Sequence, residues 1–125
     1  MHPRTRSKMT DIAVPAGVEI MNPLGFMDFN KLVANCRCVL SDSGTAPEEA
    51  LFYKVPCVSL RMTTERPETV EAGAHVVAGL DKANIVEAVQ TVSGQEWAAR
   101  YDLNENFAAS SVVINCIRSQ ITNWF

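Results

Sequence analysis

No apolar run in this sequence approaches the ~20 residues that a membrane-crossing helix needs, so none of its 125 residues is expected to span a bilayer. It has no excess of basic charge. Eleven Lys and Arg stand against fourteen Asp and Glu, a formal net charge of -3, where a general nucleic-acid binder would show a basic face. The local exception is the start, with Arg4, Arg6 and Lys8 and no acid before Asp11. That is either a solvated helix face or the rim of an anion cleft. There are two histidines, His2 and His75, far apart, and the four cysteines (Cys36, Cys38, Cys57, Cys116) contain no C-x-x-C pair. A zinc site therefore lacks its donor set, and neither a metal nor a cofactor is expected. A secretory leader is missing too, which with unpaired cysteines points to a reducing, cytoplasmic compartment. Internal repeats and low-complexity segments are absent.

What is present is ordinary globular material. With 47% hydrophobic and 20% charged residues, residues 1–125 make one domain's worth of chain, large enough to bury a core. The most informative stretch is Leu40-Ser41-Asp42-Ser43-Gly44-Thr45-Ala46-Pro47-Glu48-Glu49-Ala50. The short apolar run Cys38-Val39-Leu40 precedes it, and Ala50, Leu51 and Tyr53 open a helix after it. A buried strand, a small-residue turn and a helix start together make an anion site, because unpaired N–H groups face whatever lies over the turn. A purely structural reading also exists. Thr45 and Glu48 have capping-box spacing, and Pro47 is tolerated in a first turn. A cap alone accounts for Thr45, Pro47 and Glu48, but not for Glu49 or for Ser43-Gly44.

Taken in order, the residues predict a helix over Arg4–Ala13, broken at Val14-Pro15-Ala16-Gly17, and a short strand over Val18–Met21. A turn at Asn22–Gly25 leads to a helix capped by Asp28, with Phe29, Leu32 and Val33 on one face. Strands are expected at Cys38–Leu40, Val55–Leu60 and Ala74–Gly79. The helix after the opening turn ends near Lys54, and Cys57 reads as a small hydrophobe in the second strand. The polar segment Arg61–Thr69 is too long for a tight turn and carries two arginines, with a short helix from Pro67 towards Gly73. Asp81 caps a helix striped by Ile85, Val86, Ala88 and Val89. A turn of helix at Gln95–Arg100, a polar loop at Asp102–Asn106 and a last helix from Ala109 complete the chain. Alternating strands and helices predict an α/β domain with a parallel sheet, whose ligands lie outside the strands' C-terminal ends. Such a layout wants a strand ahead of His2, so the sequence reads as cut at its N-terminus.

SDSGTAPEEA (Ser41 to Ala50), LRMTTERPETVEAG (Leu60 to Gly73) and the Asp81-led helix resemble the C-terminal half of bacterial UDP-N-acetylglucosamine 2-epimerases of the non-hydrolysing type. HPRT (His2 to Thr5) fits a further family segment, and the likeness runs to about Val92. The resemblance implies a Rossmann-like domain, the C-terminal half of a glycosyltransferase-B type fold, with the active site in the cleft towards an N-terminal domain. It implies that Ser43 and Gly44 bind the diphosphate of a UDP-sugar, with Thr45 where many members have a second glycine. Glu49 matches the acid that takes the ribose hydroxyls. Arg66 matches an arginine that closes on the diphosphate and would stabilise the leaving group. Phe29 falls at an aromatic position near the uracil, Leu24 where the family often has a glutamine, and His2 at a cleft-facing position.

The implied reaction inverts C2 of the sugar by elimination of UDP to a 2-acetamidoglucal and re-addition. The family's acids for that step lie in the N-terminal domain, so no catalytic carboxylate is expected among these residues. UDP or a UDP-2-acetamido sugar, the N-terminal domain and a second copy of the chain are the implied partners. The default product is UDP-N-acetylmannosamine, a precursor for cell-envelope polysaccharide. Without the resemblance, Arg66 reads as a surface partner of Glu65 or Glu68, Glu49 as a solvated acid and Phe29 as core. The alternative functional class is a non-catalytic nucleotide-sugar-binding or interaction module. A glycosyltransferase half-domain fits less well, because TERPE (Thr64 to Glu68) is not its usual signature.

Overall fold

The computed structural model describes residues 3–9 and 12–94, with three further residues at 113, 114 and 117. His2, Cys116 and the elements expected beyond Gly94 lie outside the described residues, apart from those three.

Three strands form a parallel sheet in the order β1-β2-β3, with β1 at Val39–Ser41, β2 at Cys57–Ser59 and β3 at His75–Val77. Val39 pairs with Cys57 and Cys57 with His75, and the register runs on to Ser41, Ser59 and Val77. The helices bounded among the described residues are α1 Pro3–Lys8, α2 Phe26–Asn35, α3 Ala46–Phe52, α4 Pro67–Glu71 and α5 Lys82–Ser93. The central strand is buried along its whole length, as a parallel strand covered on both faces should be. Side chains alternate along a strand, so Cys57 and Val58 face opposite ways. Cys57 packs with Ala46 and Ala50 of α3 and with Val39. Val58 packs with Ala78 and with Ala88 and Val92 of α5. Leu51, Ala72 and Ala74 join α3 to the start of β3. Burying Val58 completely stabilises the fold by about 1.5–3 kcal/mol.

The local signals explain most element ends. Asp81 caps α5 by accepting from the N–H groups of Ala83 and Asn84 at 2.9 and 3.2 Å. After α4, Gly73 takes φ +75°, the left-handed turn that suits glycine just past a helix. Cys57 is buried, as expected of a small hydrophobe, and burial pushes its thiol up to about 11.

Three expectations are corrected. Val18–Met21 is not a strand: it is exposed, and the described sheet ends at β1, so no strand of that sheet pairs with it. α2 begins two residues before Asp28, with Gly25 at the cap, whose carbonyl accepts from the Phe29 N–H at 3.0 Å. α1 ends at Lys8 instead of continuing to Ala13, and Ile12 and Ala13 are not helical.

Candidate functional site

A parallel sheet sends every strand's following loop to one edge. β1 ends at Ser41 and feeds the Ser43–Thr45 turn, while β2 ends at Ser59 and feeds the Arg61–Arg66 segment. The Leu60 N–H donates to the Ser41 carbonyl at 2.9 Å, so the two loops leave side by side.

The turn is held by its own hydroxyls. The Ser43 N–H donates to Ser41 Oγ at 3.1 Å, the Thr45 N–H to Ser43 Oγ at 3.4 Å, and the Ser43 and Thr45 hydroxyls share a 3.2 Å bond. The Gly44 N–H has no hydrogen bond among the described residues. Thr45 takes the N-cap position of α3, but its side chain makes no capping bond. The capping box expected from Thr45 and Glu48 does not close, because Thr45 Oγ1 turns to Ser43 and Glu48 turns to Arg66.

One ion pair binds the second loop to the start of α3, and another lies within the second loop. Arg66 Nε lies 2.8 Å from Glu48 Oε1 in the first turn of α3. Arg66 thus pairs with neither Glu65 nor Glu68, and its Nε–H is sealed from solvent with no well-aligned acceptor. Arg61 Nη1 reaches both Glu65 oxygens, at 3.0 and 2.8 Å. This second pair lies over Gly44: a Cβ there would fall 2.5 Å from Glu65 Oε1 and 3.2 Å from Arg61 Nη1. The hydrogen bond from Arg61 holds the Glu65 carboxyl below the usual carboxylate range. Gly44 therefore serves close approach, since its φ is not positive.

The structure brings Ser43, Gly44 and Thr45 into one turn and sets Arg66 against Glu48 in the first turn of the helix that follows, while Arg61 and Glu65 are the side chains over Gly44. Glu49 is half-buried one turn into α3, with no ion pair or hydrogen bond from its carboxylate among the described residues. Phe29 is exposed on α2. Leu24 lines a separate groove of about 430 Å³ with Met21, Asp28, Lys31, Leu32 and Asn35. None of the turn residues lines that groove.

Sequence reasoning missed a buried polar chain beneath the second loop. Ser59, Thr69 and His75 are each at most 3% exposed. Thr69 Oγ1 donates to the Arg66 carbonyl at 2.7 Å and lies 2.8 Å from His75 Nδ1, and His75 Nε2 lies 2.6 Å from Ser59 Oγ. Burial first, and the Arg61 charge second, push the His75 pKa down from its ordinary 6.5, favouring the neutral ring. The directions then follow. A carbonyl accepts only, so the single Thr69 proton goes to Arg66, His75 Nδ1–H donates to Thr69, and Ser59 donates to Nε2. A histidine inside an apolar strand was the available signal, but its partners are 6 and 16 residues away. Arg61 was legible only as part of a basic loop.

The sequence model of the UDP-N-acetylglucosamine 2-epimerase family matches residues 1–114. The chain is 38% identical over 96 residues to the UDP-N-acetylglucosamine 2-epimerase of Methanocaldococcus jannaschii, covering 72% of this chain and 26% of that protein. It is 36% identical over 95 residues to the UDP-2,3-diacetamido-2,3-dideoxy-D-glucuronate 2-epimerase of Pseudomonas aeruginosa, covering 76% of this chain and 27% of that protein. Its fold is similar to the crystal structure of the M. jannaschii UDP-GlcNAc 2-epimerase in complex with UDP-GlcNAc and UDP. The TM-score is 0.79 at 31% identity, over 94% of this chain and 34% of that one. The chain thus spans about a third or less of the length of these relatives.

Proposed function

The chain belongs to the UDP-N-acetylglucosamine 2-epimerase family, and we propose on that premise that it forms the UDP-binding domain of an enzyme inverting C2 of a UDP-2-acetamido sugar. The observation that carries the reading is the meeting of the two loops. The Gly44 N–H, without a partner among the described residues, and two hydroxyls stand beside the Arg61–Arg66 segment, which is tied to α3 through Glu48 and lays its Arg61–Glu65 pair over Gly44. In a family in which a relative has been solved with UDP-GlcNAc and UDP, that is the arrangement a diphosphate would use.

Elimination takes the C2 proton as the C1–O bond breaks, and the bonding pair leaves on UDP. Charge grows on the diphosphate in the transition state, so fixed N–H and guanidinium donors lower the barrier there. Ser43, Gly44 and Thr45 hold the diphosphate, and Arg66 stabilises it as it departs. Glu49, half-buried and without a bonding partner among the described residues, takes the ribose hydroxyls, while Phe29 lies towards the uracil. The carboxylates that move the C2 proton (to and from either face) belong to the N-terminal domain. Residues 1–125 act as one domain, in the cytoplasm, of an enzyme whose product is UDP-N-acetylmannosamine or a related UDP-2-acetamido sugar. Phe26 and Met27, 76% and 78% exposed on α2, suit a contact with a second copy or with the rest of the enzyme.

Titration calorimetry with UDP and with uridine tests these roles. Glu49→Ala should weaken both ligands by about 1.5–3 kcal/mol, the worth of a charged hydrogen bond, with little salt dependence. Arg66→Ala should weaken UDP and leave uridine nearly unchanged, and salt should shrink the difference. Equal losses for both ligands in both variants would overturn the assignment.

A further inference from the structure

Arg66 has a side chain that does little to hold itself in place. Its Nε–H is buried without a well-aligned acceptor, beside a single carboxylate oxygen of Glu48. Its backbone is fixed far more firmly. The Arg66 N–H donates to Thr64 Oγ1 at 3.1 Å, and its carbonyl accepts from both the Thr69 hydroxyl and the Thr69 N–H, at 2.7 and 3.2 Å. Behind Thr69 stand His75 on β3 and Ser59 on β2, all three buried and joined by bonds of 2.8 and 2.6 Å. Ser59 and His75 sit on adjacent, paired strands.

We infer that Ser59, His75 and Thr69 are positioning residues for Arg66, a directed hydrogen-bond relay that ties the arginine's backbone to the sheet. Buried polar groups cost stability unless every donor and acceptor finds a partner. An apolar trio would fill this space at less risk, and it would leave the Arg66 carbonyl with only its helical N–H. The relay supplies direction instead. Ser59 donates to His75, His75 to Thr69 and Thr69 to Arg66, so each group's orientation is set by the one below it. The guanidinium is thereby held beside Glu48 in the first turn of α3 before any ligand arrives, which saves the ordering cost that a free arginine would incur on binding. The purpose assigned to Arg66 rests on the UDP-binding reading above; the positioning itself does not.

Two measurements on the full 125-residue chain test this. The first uses no ligand and reads the Arg66 Nε–H resonance in a ¹H–¹⁵N spectrum. That signal should be sharp and protected in the native chain and in Thr69→Ser, which keeps the hydroxyl, and should be broadened or exchanged away in Thr69→Val. The second compares Kd for UDP with Kd for uridine. Thr69→Val should cut the preference for UDP roughly tenfold, the low end of one charged contact, with uridine affinity kept and Thr69→Ser restoring the preference. Ser59→Ala breaks the relay at its far end and should shift both readouts the same way, which decides the matter if Thr69→Val does not fold. A purely structural role would lower the melting temperature and leave the UDP-to-uridine ratio intact. An unchanged Arg66 signal and an unchanged ratio in folded Thr69→Val, or in Ser59→Ala, would overturn the inference. A native chain with no preference for UDP would instead overturn the UDP-binding reading, and the ligand-free signal would still decide the positioning.

Discussion

Replacing Gly44 with alanine adds one methyl group at the point where the two loops touch. The backbone there does not need glycine's freedom, because its φ is not positive. Losing glycine's extra freedom in the unfolded chain should stabilise the fold by about 0.4–1 kcal/mol. Against that, the new Cβ would lie 2.5 Å from Glu65 Oε1 and 3.2 Å from Arg61 Nη1, so the Arg61–Glu65 pair must move. Both side chains are partly exposed, 33% and 51%, and a pair of that kind contributes about 0.2–1 kcal/mol. The two effects offset, and denaturant unfolding should place the variant within about 1 kcal/mol of the native chain. UDP binding should respond differently. The methyl stands where a phosphate would approach the Gly44 N–H, and crowding a close-packed contact costs about 1–3 kcal/mol, or roughly 5- to 150-fold in Kd. Uridine, which has no diphosphate, should be nearly indifferent. Calorimetry with both ligands, beside urea unfolding, separates these quantities. Native-like UDP affinity in Gly44→Ala would refute the placement of the diphosphate over Gly44. A loss of stability well beyond 2 kcal/mol would refute the claim that the Arg61–Glu65 pair gives way easily.

Two further outcomes follow from the same geometry. Stability should fall as pH drops below about 6.5, because the His75 pKa is lowered in the fold and the unfolded chain then binds the extra proton. The loss should level off below the folded pKa. Urea midpoints at several values between about pH 7.5 and 5.5 should show this limb, and His75→Leu should flatten it; a flat native profile would contradict the neutral relay. The 125-residue chain alone should not epimerise UDP-N-acetylglucosamine, since the carboxylates that move the C2 proton are expected in the N-terminal domain. Proton NMR of the incubated sugar nucleotide checks this, and the manno epimer appearing faster than in a buffer blank would contradict it.

The sheet was legible because its strands are short apolar runs bounded by breakers: Val39, Cys57-Val58 and His75-Val76 all lie within the expected segments. The Ser43–Thr45 turn and the Arg61–Arg66 loop could be placed at one edge from chain order alone. Pairings between them could not. Glu48 had the spacing of a capping partner, and only the fold shows that Arg66 outbids the helix N-terminus for its carboxylate. Val18–Met21 alternates like a strand, but alternation creates no strand without a neighbour, and none exists among the described residues. The Ser59–His75–Thr69 chain was hidden for a related reason: its members come from three elements, and each looks unremarkable in its own segment.

The most direct test of the central claim is a ¹H–¹⁵N titration of the chain with UDP. The account predicts that shift changes concentrate at the amides of Ser43, Gly44 and Thr45 and at the Arg66 side chain, and that phosphate-free uridine moves Gly44 and Arg66 far less. Shifts gathered instead around the α2 groove at Met21, Leu24, Lys31 and Leu32, with Gly44 and Arg66 silent, would contradict it.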